Sequence, residues 1–533
     1  MSCRARRTAL ALLVTSALAA GCGSTVGSVG ASGGPVAAGL GVPLGTTAPA
    51  APGVGDTAGG AVAGVPGSGH GGGQSRAGVV TGGTGTAGTG GNGVGVASGA
   101  GGGTTSSGEA AALTGPIHLD YTIWDQAGFT ALTGNTQAGQ DPAANQGSDE
   151  REMNALVAYA NATGGVGGRK LAKPIGIRVS TADVTSQQTM DSYCTKATED
   201  DHAQVFIDRS FFVSDESVSC FARHHTTLVS LLPDTGDALY AKTAPYVAST
   251  SPSVERSASA FIKGLNDAHY FQGAHVGVVL DDSPTVDIAW NRYMLPALQA
   301  LHVAVKPADV VRVNTTDSSA QSSQASSAVL KFRTDGVDHV IYFSGFLGQL
   351  AFTQTADSQG YHPRYGWSDY GGDVADAGFY VSATQNANAV AVSSSGSYVV
   401  EHGDDKQPRS LTQDYNRNDK KHVSPGLRRC LDVLSKYTHV NYYSGSSGRS
   451  TEFTFYCDNF FLWLQAARNV ASIFSPATWG RGLAAVGTSY EPVEVHSTDF
   501  SHRYAGADTY RVGIYSPNAA CKCFPAITPW RPF

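Results

Sequence analysis

From residue 117 onward, short apolar runs alternate with longer segments whose apolar positions recur every three or four residues. The runs Ile117–Trp124, Ile175–Ser180, Gln204–Asp208, Thr227–Leu232, His275–Asp282, Val310–Val313, His339–Ser344 and Tyr365–Ser368 have the length and the aliphatic content of strands. Between them, helical periodicity covers Asp149 to Asn161, Ser186 to Glu199, Val254 to Ala268, Asp287 to His302, Ala320 to Arg333 and Leu347 to Ser358. In the first of these, Met153, Leu156, Val157 and Tyr159 gather on one face and Gly164-Gly165 supplies the stop. Strand and helix in strict alternation predict parallel sheets covered on both faces. After Ala377 the order changes to helices near Pro425–Tyr437 and Phe453–Phe474, then strand pairs near Val493–Thr498 and Tyr510–Tyr515. The Phe453 helix is apolar all round, with Tyr456, Phe460, Phe461, Trp463 and Leu464, so it is expected to be a core helix and not a cofactor box.

The first 112 residues are different. Met1 to Arg7 is basic, Thr8 to Ala20 is small and apolar, and the run ends Leu18-Ala19-Ala20-Gly21-Cys22. This is the pattern of an export signal, too short to persist as a membrane span. Residues 23–112 hold 32 of the chain's 65 Gly, no aromatic residue and only Asp56, Arg76 and Glu109 as charges, so this stretch cannot bury a core and reads as a flexible tether. The remaining 420 or so residues carry every aromatic group and exceed the size of a single core, so they are expected to divide into two lobes. The net charge of −7, with no basic concentration, gives no electrostatic case for nucleic acid.

Six Cys lie in this head: Cys194, Cys220, Cys430, Cys457, Cys521 and Cys523. An even number in an exported chain favours disulfides, and six Cys allow 15 pairings. They fall into three local pairs, which points to Cys194–Cys220 and Cys430–Cys457. A Cys521–Cys523 bridge would close a very tight ring. No C-x-x-C occurs and no His stands at ligand spacing, so neither a metal nor a cofactor is expected. The motifs G-x-S-x-G and H-E-x-x-H are absent from the head, His224-His225 is adjacent instead of one helical turn apart, and Glu401 to Asp405 is a lone charged loop. The chain is therefore read as a non-enzyme.

Three segments carry a family resemblance. Ala162 to Leu171, Ala-Thr-Gly-Gly-Val-Gly-Gly-Arg-Lys-Leu, resembles the "GGVNGRKL" turn of type I periplasmic binding proteins, the group that includes the leucine/isoleucine/valine-binding proteins of ABC transporters. His275 to Ser283 resembles their "VAVLYDDS" strand, and Asp338 to Gly345 resembles "DAVFLGG". Cys194 and Cys220 are spaced much like a first-lobe disulfide of that family, and Cys22 sits as the lipidated Cys does in bacterial lipoboxes. The resemblance covers roughly residues 116 to 380 and implies an α/β protein of two Rossmann-like lobes joined by a three-crossing hinge. The expected organisation is signal peptide 1–21, tether 22–112, first part of lobe 1 at 113–247, lobe 2 at 248–375, and 376–533 completing lobe 1 with C-terminal return segments.

In such sheets ligands sit beyond the carboxyl ends of the strands. The candidate cleft residues are Trp124, Asp125, Arg209, Ser210, Phe211, Asp234, Asp282, Phe346, Asp369 and Tyr370. The resemblance places Ser210 at the hydroxyl that meets a ligand carboxylate, and Asp369 at or beside the acid that meets an ammonium. Where that family commonly has Gly-Pro, this chain has Asp208-Arg209, and Arg209 either pairs with Asp208 or faces a ligand carboxylate. The implied function is capture of a small polar solute, an amino acid or related amide, peptide or organic acid, at the extracytoplasmic face. The implied partners are that solute, a possible ABC permease, and the membrane through the lipid on Cys22. Ligand sensing or surface interaction without transport is the alternative, and a secreted hydrolase is a third.

Overall fold

The computed structural model describes residues 115–533 except 125–141, 180–186, 210–214, 231–234, 315–316, some positions between 373 and 398, 401–422, 444–452 and 518–523. Two sheets organise it. The first has the order β2-β1-β3-β4-β5, all parallel, built from Leu119–Trp124 (β1), Ile175–Val179 (β2), Val205–Asp208 (β3), Thr227–Ser230 (β4) and Val247–Ser249 (β5). The second has the order β14-β12-β10-β9-β8-β6-β7. Its strands are Val276–Asp281 (β6), Val310–Val313 (β7), His339–Phe343 (β8), Arg364–Trp367 (β9), Val390–Ser393 (β10), Thr509–Ile514 (β12) and Arg531–Pro532 (β14), with β12 antiparallel to its neighbours. A short pair, Val399–Val400 (β11) with Phe524–Pro525 (β13), lies beside β12.

Side-chain alternation along a strand explains why each sheet has two cores. In β3, Val205 and Ile207 enter one cluster while Phe206 enters the other. In β6, Val276, Val278 and Leu280 face one way and Val279 the other. The helix Phe453–Asn469 is buried on every side, as its composition requires, and packs on the first sheet with Pro142–Ala162, Pro425–Thr438 and Pro476–Val486. Both local disulfides form, Cys194–Cys220 and Cys430–Cys457. Cys521 and Cys523 lie outside the described residues.

The Gly164 to Gly168 turn is needed for its backbone. Gly164, Gly165, Gly167 and Gly168 all have positive φ, and a Cβ on Gly165 would stand 1.9 Å from the Arg169 carbonyl oxygen. Elsewhere the left-handed position just past a helix is filled by His: His202, His225, His269, His302 and His439 all have φ between 53° and 59°.

The chain crosses between lobes three times: at Ser249 to Val254, between Val400 and Pro425, and from Val486 to Thr509. Segment 376–533, expected to complete the first lobe, is divided. Its helices join the first sheet, whereas β10, β12 and β14 extend the second, because the apolar run Val390–Ser393 continues that sheet from β9. Val493–Thr498 is not a paired strand but makes only single bridges, Ser395 with Val495 and Thr498 with Ala507, since it serves as the third crossing.

Candidate functional site

In each sheet one strand ends in an acid: Asp208 closes Val-Phe-Ile-Asp and Asp281 closes Val-Val-Leu-Asp. Each is held by hydroxyls from neighbouring strands. On the first lobe, Asp208 accepts from Thr122 Oγ1 (3.3 Å) and Ser230 Oγ (3.1 Å), and its carbonyl accepts from Asn459 Nδ2 (2.7 Å). Arg209 follows. Its backbone N–H donates to Thr122 Oγ1, and its guanidinium meets Asp149 at 2.7 Å with both side chains almost wholly buried. The guanidinium also lies 5.2 Å from the centre of the Tyr456 ring, whose hydroxyl donates to the Thr122 carbonyl (2.6 Å). The buried partner that the structure gives the Arg209 guanidinium is thus Asp149, on the helix Pro142–Ala162.

On the second lobe, Asp281 accepts from Ser344 Oγ, from the Gly345 N–H (3.1 Å) and from the Tyr370 hydroxyl (2.8 Å). Burial pushes its carboxyl up to about 6 against the opposing pull of these donors. Tyr370 stacks on Phe343 at 4.6 Å, and Phe346 packs on Tyr380 at 5.2 Å. The turn after β9 lies directly on Ser344-Gly345: Gly371 has φ +62°, and a Cβ there would be 2.7 Å from the Gly345 Cα. Asp369 is half-buried and accepts from Ser394 Oγ (2.7 Å) and from its N–H, joining the end of β9 to the end of β10. Burial raises its carboxyl too. Asp282 is exposed, and its N–H donates to the Val313 carbonyl (2.9 Å).

The lobes touch beside the first crossing. Thr285 Oγ1 donates to Asp215 Oδ2 (2.9 Å), and Glu255 Oε2 accepts from the Asp237 N–H (2.9 Å).

Of the sequence candidates, Tyr370 joins the Asp281 cluster directly, and Phe346 and Asp369 start from the same strand ends. Trp124 is the last residue of β1, while Asp125, Ser210, Phe211 and Asp234 lie outside the described residues. Sequence reading passed over Asp281, Ser344, Thr122, Asp149 and Tyr456. The available signal was the repeated form of the strands, three apolar residues and then Asp. Among the described residues no group of three or more His, Cys, Asp or Glu is placed to hold a metal ion, and no helix is long and apolar enough to cross a membrane.

No protein-family model matches the chain, and no curated protein matches it significantly in sequence. Solved structures do. An ABC transporter solute binding protein from R. palustris in complex with 4-hydroxybenzoate is 13% identical, with TM-score 0.52 over 78% of this chain and 97% of that one. A fatty acid ABC transporter substrate-binding protein from Thermomonospora curvata is 13% identical, with TM-score 0.52 over 79% and 95%. A branched chain amino acid ABC transporter protein from Thermus thermophilus with bound valine is 14% identical, with TM-score 0.50 over 79% and 98%. The chain has a two-lobed α/β architecture, the type I periplasmic binding protein fold. Within that class its fold is similar to those of ABC-transporter substrate-binding proteins.

Proposed function

We propose that this protein captures a small solute between its lobes on the extracytoplasmic face of the membrane and passes it to an ABC permease, without catalysis. The lipid on Cys22 and the segment 22–112 serve as anchor and tether, so palmitate labelling of the chain should be lost in Cys22→Ala. The observation that carries the reading is the pair of strand-end acids, Asp208 in the first sheet and Asp281 in the second, each fixed by hydroxyls. Such prearranged polar groups beside aromatic walls suit capture of an amino acid or a related amide, peptide or organic acid. Trp124, Asp125, Ser210, Phe211, Asp234, Asp282, Phe346, Asp369 and Tyr370 would line the cleft. Arg209 would act indirectly, by fixing the first-lobe rim through Asp149.

The test is a thermal-shift screen of the purified protein against amino acids, amides, peptides, benzoates and fatty acids. A solute at 100 times its Kd stabilises by about 2.7 kcal/mol, a shift of a few degrees at this size. No shift across the panel would refute solute capture, and turnover of any member would refute the non-catalytic part.

A further inference from the structure

Residues Trp530 to Phe533 touch the third crossing directly and two segments that bond to it, the first turn of the helix Val254–Asp267 and the turn after β10. Just past the first crossing, the Arg256 guanidinium lies 5.3 Å from the centre of the Phe533 ring and donates to the carbonyls of Ala505 and Ala507. Before the second crossing, in the turn after β10, the Trp530 ring lies against Gly396, and Arg511, 4.2 Å from the centre of that ring, donates to the Gly396 carbonyl. On the third, Trp530 stacks on His496 at 4.3 Å with the rings 6° apart, and the Phe533 N–H donates to the Asp508 carbonyl (3.1 Å). The first and third crossings also bond one another, Ser249 N–H to the Tyr504 carbonyl and Gly506 N–H to the Ser249 carbonyl, and the third bonds the turn after β10, His496 N–H to the Ser394 carbonyl.

We infer that the C-terminal segment is a clasp on the hinge, which limits how freely the two lobes swing. A hinge works by changes of backbone angle in a few connecting residues, so a group bonded to the third crossing, which is itself bonded to Ser249 of the first, resists that change. The clasp is lightly held. Its strand is two residues long, it is paired only with Thr509-Tyr510, Trp530 and Phe533 are half-exposed, and one ion pair, Arg531 with Asp267, ties it to the helix Val254–Asp267. It can therefore release without unfolding the sheet it borders. The significance for solute capture rests on the function proposed above, but the mechanical effect does not.

Hydrogen exchange of the full-length protein without solute tests it. In Trp530→Ala, and independently in a chain ending at Pro529, peptides spanning 247–256 and 493–508 should exchange roughly tenfold faster, the change expected from losing at least one cation–π contact and one ring stack. Peptides containing β6 and β8 should be unchanged, and Trp530→Phe should restore protection. Unchanged hinge exchange in the folded variants overturns the clasp. So does acceleration throughout the second lobe, which would make the segment an ordinary sheet edge. A wild-type protein that binds no solute would remove the function and leave this result standing.

Discussion

Asp120 makes the stability of the first lobe depend on pH in the direction opposite to most carboxylates. It sits in the middle of β1, fully buried, on the face opposite Tyr121, where the π turn Lys196–Asp200 leads into Asp201. Burial, with Asp201 adding repulsion, pushes its carboxyl up to about 8, and Lys196 is drawn toward Asp201 at 2.7 Å. Because the folded value lies above the unfolded one, the stability it confers is complete below about pH 4 and is lost as pH rises toward 8. The slope approaches about 1.4 kcal/mol per pH unit, so between pH 4.5 and 7 the loss is on the order of 3 kcal/mol. Asn at this position has a similar shape and no proton to lose. Urea unfolding of wild type and Asp120→Asn, followed by tryptophan fluorescence from pH 4.5 to 8.5, should give curves that diverge steadily, with the variant gaining on the wild type as pH rises. Asp281, pushed up to about 6, contributes to both proteins and cancels in the difference. Parallel curves would refute the reasoning, because they would mean that Asp120 ionises in the folded protein at its ordinary value.

Two further outcomes follow from pairings in the first lobe. Replacing Cys430 and Cys457 together by Ala opens a loop of 27 residues and should cost about 3.5 kcal/mol in chemical denaturation; a cost near zero would mean that the bridge adds nothing to the packing of the two helices it joins. Arg209→Ala leaves the Asp149 carboxylate buried without its cation and should cost about 3 to 5 kcal/mol, while Arg209→Met with Asp149→Leu should cost much less; equal losses in the single and double variants would show that the charge pairing is not what the single change disturbs.

The alternating first half was legible from periodicity because it is built of repeated strand and helix units. The run His339 to Ser344 became His339–Phe343, and Val254 to Ala268 became the helix Val254–Asp267. Short elements were missed where the signal is short. Val247–Ser249 has three residues, and the helix Asp215–Arg223 begins with charges and interrupts its apolar face with Ser217 and Ser219. The role of Val493–Thr498 was hidden because a crossing that must bond to other crossings is as apolar as a strand. Arg209 illustrates the limit at the site. Sequence shows its neighbour Asp208, whereas its partner Asp149 is 60 positions away and arrives only through the packing of Pro142–Ala162 against β1. The acid at the end of each strand could have been found, since β3 and β6 share it, but which hydroxyls hold it is a property of strand order.

The three crossings also fix the order in which a nascent chain can become native. All five strands of the first sheet are present once residue 249 is made, yet the helices that cover one of its faces span Pro425 to Val486, and the second sheet waits for Thr509–Ile514 and Arg531–Pro532. Until then Tyr121, Ile123, Val205 and Ile207 have no Phe460, Trp463 or Leu464 to pack against. Neither lobe can close its core early, so folding is a late and nearly simultaneous event, with long-range contacts made after most of the chain exists. A chain that stays unfinished in this way keeps those apolar faces uncovered for almost the whole of its synthesis.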